Sequence, residues 1–132
     1  MNLKAKLDFH YSNFDRSKLS PDPLQFPRLY KDERDIEVMG FIASIFAYGN
    51  VRQIINSIEK IKTIVGEKPH KYIIKFSTKD YEDFKGLKHR FYTEADIVNL
   101  FLVMSRVYRA YASMKNLFLH CLKKKLLRFP SD

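Results

Sequence analysis

A chain of 132 residues with 45% hydrophobic side chains is the size of one domain and can bury one core without staples, and its four glycines and five prolines exclude fibrous and disordered classes. Its single cysteine, Cys121, excludes an internal disulfide. The charged N-terminus (Lys4, Lys6, Asp8) excludes a signal peptide, and no apolar stretch reaches the ~20 residues of a spanning helix, so the expected compartment is the cytoplasm.

The net charge of +9 is unevenly spread. Residues 1–102 hold 17 basic and 14 acidic side chains, whereas residues 103–132 hold 7 basic side chains and Asp132 alone. Such asymmetry fits a polyanionic partner, and equally a solubility feature.

Leu3, Leu7 and Tyr11, spaced by four, predict a first helix over 3–14. Pro21, Pro23 and Pro27 then forbid regular helix and give an extended loop, which Leu24 and Phe26 should pin to the core. Asp32 reads as an N-cap, with Asp35 three residues later in a box-like position. The helix from about Glu33 to Tyr48 is apolar nearly all round beyond Glu37, which places it mid-domain. Within it, Gly40 and Ala43 would let a neighbouring helix approach closely, and Gly49 would end it.

Val51, Ile54, Ile55, Ile58, Ile61 and Val65 form one helical stripe, with Gly66 after it. Pro69 starts a short helix to about Phe76, and Ser77 or Thr78 caps another turn to Phe84. Residues 87–92 form a connector with no partner strand. Thr93 caps a helix running to about Tyr111, whose face is Ile97, Leu100, Phe101, Met104, Tyr108 and Tyr111. Ser113 caps a last helix, where Cys121 should pack against Leu117 and Phe118. The expected fold is all-α, a compact multi-helix array of about six helices joined by short loops, forming one domain over 1–132.

No complete catalytic or cofactor motif is present, and no cofactor or metal is expected. Four scattered histidines (His10, His70, His89, His120) and one cysteine lack zinc spacing. The cluster from Asp32 to Glu37 reads first as first-turn carboxylates on a helix dipole, and only second as acid–base chemistry.

Tyr48, Gly49, Asn50 and Arg52 join the two strongest helices. They form either a plain tight corner or an exposed one, where an aromatic stacks on a base and Arg52 reaches a phosphate. Lys88 and Arg90 could likewise touch phosphate; alternatively Phe91 fills the core and Arg90 pairs with a buried acid. Lys123, Lys124, Lys125 and Arg128, interleaved with Leu122, Leu126, Leu127 and Phe129, make a basic amphipathic end. It suits nucleic acid, an anionic membrane surface or a partner groove, or is a frayed terminus.

The run from Asp22 to Tyr30, with Asp35-Ile36-Glu37-Val38-Met39-Gly40-Phe41-Ile42-Ala43 and Ala47-Tyr48-Gly49, resembles an uncharacterised bacterial family, a domain of unknown function. Lys88 to Phe91, Asp96-Ile97 and Tyr111 to Met114 extend the resemblance, which spans about residues 22–118. It implies that the chain is the N-terminal part of a longer protein, a fragment or shortened member. Remotely, the α-helix and corner from Asp35 to Asn50 look like the buried helix and DNA-facing corner of the helix–hairpin–helix DNA glycosylase superfamily. The hairpin and the catalytic lysine and aspartate of that superfamily have no match here, so no catalytic residue is assigned and the chain alone is not expected to be an enzyme.

The function expected from these readings is DNA or other nucleic-acid binding. Arg28, Lys31, Arg52, Lys60, Lys62, Lys88 and Arg90 would meet phosphates, and Tyr48 and Asn50, with Gly49 between them, would face bases. The alternatives are a helical protein–protein interaction module, covered by the missing C-terminal half or another chain, and an inactive truncated remnant.

Overall fold

The computed structural model describes residues 2–13 and 19–128. Six α-helices form among them, and most begin where a side chain can satisfy orphan backbone N–H groups. Helix α1 (Leu3–Asn13) starts as Asn2 Oδ1 accepts from Ala5 N at 2.8 Å. Two short 3-10 turns, Pro23–Gln25 and Pro27–Leu29, carry the proline-rich loop. Helix α2 (Glu33–Phe46) is capped by Asp32, and α3 (Val51–Val65) by Asn50. After α4 (Pro69–Lys75), a 3-10 helix (Thr78–Phe84) opens with a capping box made by Ser77 and Asp80. A second box, Thr93 with Asp96, opens α5 (Glu94–Tyr111), and α6 spans Met114–Arg128. The all-α expectation holds, and no described helix is long and apolar enough to cross a membrane.

The apolar girdle of α2 makes it the hub. Val38, Met39, Ile42 and Phe46 are fully buried in one core with the Ile54, Ile58, Ile61 and Val65 stripe of α3 and with Ile97, Phe101, Met104 and Tyr108 of α5. Each such side chain contributes about 1.5–3 kcal/mol by leaving water. Phe76, Phe84 and Phe101 close one end with ring centroids 4.7–5.7 Å apart. Phe26 pins the proline loop as expected, but Leu24 stays on the surface. The close neighbour of Gly40 is the short 3-10 turn Pro27–Leu29 rather than an α-helix: a Cβ there would lie 3.9 Å from Pro27 Cβ.

Two carboxylates of α2 reach away from their own helix. Asp35 is buried and accepts from His70 N, in the first turn of α4, at 2.8 Å. Glu37 accepts from Met114 N at 2.8 Å and Lys115 N at 3.2 Å, the first N–H groups of α6. The box-like role expected of Asp35 on α2 is therefore corrected: its carboxylate caps a different helix. At the other end of α4, Arg109 of α5 donates to the Ile74 carbonyl at 2.7 Å and the Phe76 carbonyl at 3.1 Å. Seven residues are too few for a self-supporting helix, so α4 exists because its neighbours close both of its ends.

Helices α1 and α6 sit differently. No residue of α1 is buried, and its Leu3, Leu7, Phe9 and Tyr11 are exposed. Helix α6 docks through Met114 and Leu117, while Phe118 and Leu122 face solvent. Cys121, expected to pack against Leu117 and Phe118, is exposed instead. Of the basic end, Lys123, Lys124 and Lys125 are exposed; the side chains of residues 126–128 and the whole of 129–132 lie outside the described residues, as does residue 14.

The interhelical caps generate a stability prediction. Removing one cap typically costs about 0.5–2 kcal/mol, and a buried donor left unpaired costs about 1–3. Asp35→Ala and Glu37→Ala should each lower the free energy of urea unfolding at neutral pH by about 1–3 kcal/mol, while Glu33→Ala, on the exposed face, should stay within about 0.5. Equal losses in all three would show that these carboxylates serve only the dipole of α2.

Candidate nucleic-acid interface

The corner after α2 is tight. Tyr48 N donates back to the Phe46 carbonyl at 2.8 Å, Gly49 takes φ +116°, and Asn50 Oδ1 accepts from Gln53 N at 3.3 Å to start α3. A second element meets it. His89 and Tyr92 exchange backbone hydrogen bonds of 3.1 and 2.9 Å, closing a two-residue turn whose central residues are Arg90 and Phe91. Arg90 sits at φ +53°; a positive φ at the first central position alone is the pattern of a type II′ turn, where glycine is ordinary.

His89 fastens this turn to the helices. Its ring is buried, lies 5.1 Å from Phe46 and accepts from or donates to Ser57 Oγ of α3 through Nδ1 at 2.9 Å. Its Nε2 faces the backbone of Phe46 and Tyr48 without a well-formed hydrogen bond. Burial pushes the imidazole below its usual range; the backbone of Phe46 and Tyr48 opposes this, and the neighbouring Arg90 charge adds to it. Tyr92 also packs on Phe46, with centroids 5.9 Å apart.

With His89 turned inward, Arg90 is carried outward over the corner. Its guanidinium carbon lies 4.6 Å from the Tyr48 ring centroid and 5.2 Å from that of Phe91. Tyr48 is 68% exposed and Phe91 79%, so an aromatic–cation–aromatic group stands in solvent. Gly49 is needed twice here. Its φ disfavours any side chain, and a Cβ would collide with the Arg90 guanidinium and lie 2.7 Å from its Cδ. The two exposed cation–π contacts return about 1–2 kcal/mol together, while a non-glycine residue at such a φ costs about 1–3, so the stack adds little or nothing net to stability.

The ten expected contacts separate in space. Tyr48, Gly49, Asn50 and Arg90 come together; Arg52, in the first turn of α3, and Lys88, just before the turn, are exposed beside them in sequence. The Asn50 side chain is engaged as a cap. Lys31 and Lys62 lie at the opposite end of the α2–α3 pair, on the order of 20 Å away along the helices. Lys62 pairs with Glu59 at 3.2 Å. Lys60 is exposed on α3, and Arg28 on the proline loop.

Neither ordinary explanation for residues 88–91 survives: Phe91 is not in the core, and Arg90 makes no ion pair among the described residues but stacks on Tyr48. Sequence reasoning missed His89 as the anchor. The signal in the sequence was the alternation of Leu87 and His89 with the cations Lys88 and Arg90, a period of two that puts 87 and 89 on one side.

A family model described as "Protein of unknown function (DUF2400)" matches residues 22–129. The chain belongs to this family. The family match takes in the proline loop, both cross-capping carboxylates, the corner and the Arg90 turn, and leaves α1 outside it. Comparison with curated proteins and with solved structures gives no significant match. Among the described residues, no group of three or more metal-ligating side chains gathers.

Two measurements follow from this geometry. Because the folded-state pKa of His89 lies below its ordinary 6.5, the unfolded chain binds its proton first on acidification. This contribution to stability is full above 6.5 and is lost as pH falls through the lowered folded value; melting curves of His89→Asn between about pH 7 and pH 5 should therefore be flatter than wild type. Arg90→Gly relieves the positive φ, so urea unfolding should show unchanged stability or a gain of up to about 1 kcal/mol despite removal of the stack. A clear loss would mean that Arg90 is held there for the fold.

Proposed function

We propose that this protein binds nucleic acid through the corner formed by Tyr48, Gly49, Asn50 and the Arg90–Phe91 turn. The observation that carries the reading is the exposed stack of Tyr48, Arg90 and Phe91, which a positive-φ turn holds out in solvent. Aromatic faces stack on unpaired bases with a gain of about 1–3 kcal/mol per base, and a guanidinium reaches a phosphate or stacks on a base. Arg52 and Lys88, exposed nearby in sequence, supply further cations, and the overall charge of +9 favours a polyanion. The sequence resemblance to the DNA-facing corner of glycosylases makes DNA the first nucleic acid to try; no catalytic step is assigned to this chain.

The test is binding of labelled single-stranded and duplex DNA by the whole protein, titrated with salt. Log affinity should fall linearly with log salt, and Arg90→Ala or Arg52→Ala should reduce the slope by about 0.7–0.9 for each phosphate that the variant leaves unneutralised. Tyr48→Ala should weaken single-strand binding by about 1–3 kcal/mol with little change of slope. If only Gln replacements of Lys123, Lys124 and Lys125 abolish binding, the corner is not the site and the basic end binds nonspecifically.

A second reading has one observation in its favour. Leu3, Leu7 and Tyr11 of α1 are exposed at a spacing of four, and α1 buries nothing. A helix face of this kind suits a protein partner, which makes an interaction module the alternative.

A further inference from the structure

A broad concavity lies at the end of the α2–α3 pair away from the corner. It is a groove of about 890 Å³ between the start of α2, the end of α3 and the outer face of α4. That volume is in the range that holds a drug-sized ligand. Six cationic side chains line it, Lys31, Arg34, Lys62, Lys68, Lys71 and Lys75, against three carboxylates. Only Lys31 and Lys62 were expected as phosphate contacts; α4 supplies cations that its sequence pattern did not mark.

The charges do not cancel one another. Asp32 is committed to Arg34, with Nη2 to Oδ2 at 3.1 Å, and this partner holds the Asp32 carboxyl down to about 2. Asp35 is buried beneath the groove and occupied by His70 N. Lys62 has Glu59. Lys31, Lys68, Lys71 and Lys75 make no ion pair among the described residues; within the groove their uncommitted carboxylate is Glu67, and on its far side Lys68, Lys71 and Lys75 share a neighbouring hollow with Asp80. Four lysines against two unpaired carboxylates leave a net positive groove that gains free energy when an anion arrives. The Tyr30 hydroxyl meanwhile donates to the Gly66 carbonyl at 3.1 Å, satisfying one acceptor at the end of α3.

The walls are not only charged. Leu29, Tyr30 and Ile74 add apolar surface to its lining. Apolar surface in a groove that also gathers lysines suits a ligand with a flat, weakly polar part joined to a chain of anionic groups. We infer that the groove between α2, α3 and α4 binds a nucleoside polyphosphate, its phosphates on Lys31, Lys68, Lys71 and Lys75 and its base against Leu29, Tyr30 and Ile74. This site is separate from the corner and does not depend on nucleic-acid binding there.

The test is calorimetric titration of the whole protein with ATP, tripolyphosphate and adenosine at ionic strength near 0.15 M, where surface attraction is largely screened. ATP should bind, and Lys71→Glu with Lys75→Glu should weaken it by about tenfold or more, since both the attraction and its sign are changed. Lys71→Gln with Lys75→Gln should give a smaller loss in the same direction, with melting curves confirming that both variants fold. Arg90→Ala should leave ATP affinity within about twofold, because the two sites lie on the order of 20 Å apart. Absence of ATP binding to the wild type, or equal losses with Arg90→Ala and the lysine variants, would overturn the site. Tripolyphosphate binding as tightly as ATP would overturn the nucleoside part. A single-stranded oligonucleotide that displaces ATP and loses affinity with the lysine variants would make the groove a track for a strand, and would equally overturn the small-ligand assignment.

Discussion

Asp35 and Glu37 set the way the other helices meet α2. Residues two apart on a helix lie about 200° around its axis, so their side chains cannot share a face. One carboxylate therefore meets the start of α4 and the other the start of α6. A buried carboxylate is costly unless hydrogen-bonded, and a helix start inside a domain leaves N–H groups that need acceptors. Each deficit answers the other. Lys68, at the N-cap of α4, offers no side-chain cap, so Asp35 is the acceptor that lets this seven-residue helix begin where it does. Glu37 shares the start of α6 with Ser113, whose Oγ accepts from Asn116 N at 3.0 Å.

The corner inherits its geometry from the same hub. Phe46, last residue of α2, is fully buried and receives both His89 and Tyr92. The bond between His89 Nδ1 and Ser57 Oγ adds α3 to that contact. A turn more than 30 residues further along the chain is thus fixed to α2 and α3 around one aromatic ring. Only after that is Arg90 delivered over Tyr48, and only glycine at 49 leaves room for it. The positive φ of Arg90 is sustained because the turn is clamped on both sides by His89 and Tyr92.

What was legible in the sequence is what local chemistry controls. The stripe from Val51 to Val65 and the capped run from Glu94 to Tyr111 form with the expected bounds, because periodicity and caps act within a few residues. The aim of Asp35 and Glu37 was not legible. Their acceptor roles span 35 residues in one case and 77 and 78 in the other, and the same residue types at a helix start have an adequate local explanation. Phe91 stayed open between core and surface for a related reason: an isolated phenylalanine is buried far more often than it stands 79% exposed. Cys121 failed likewise, since α6 turns only its first residues, Met114 and Leu117, to the core.

The exposed cations of the two surfaces fall into two kinds. Arg90 is fixed by stacking, by a closed turn and by the glycine beneath it, so it presents one geometry to a partner. Lys31, Lys68, Lys71 and Lys75 line an open groove without ion-pair partners among the described residues and keep their rotamer freedom. A preorganised planar cation between two rings loses little entropy on binding and selects flat or bidentate groups. Flexible ammonium groups lose more, and they select for charge density rather than shape. The length of α2 separates the two, and each has its own supporting contacts.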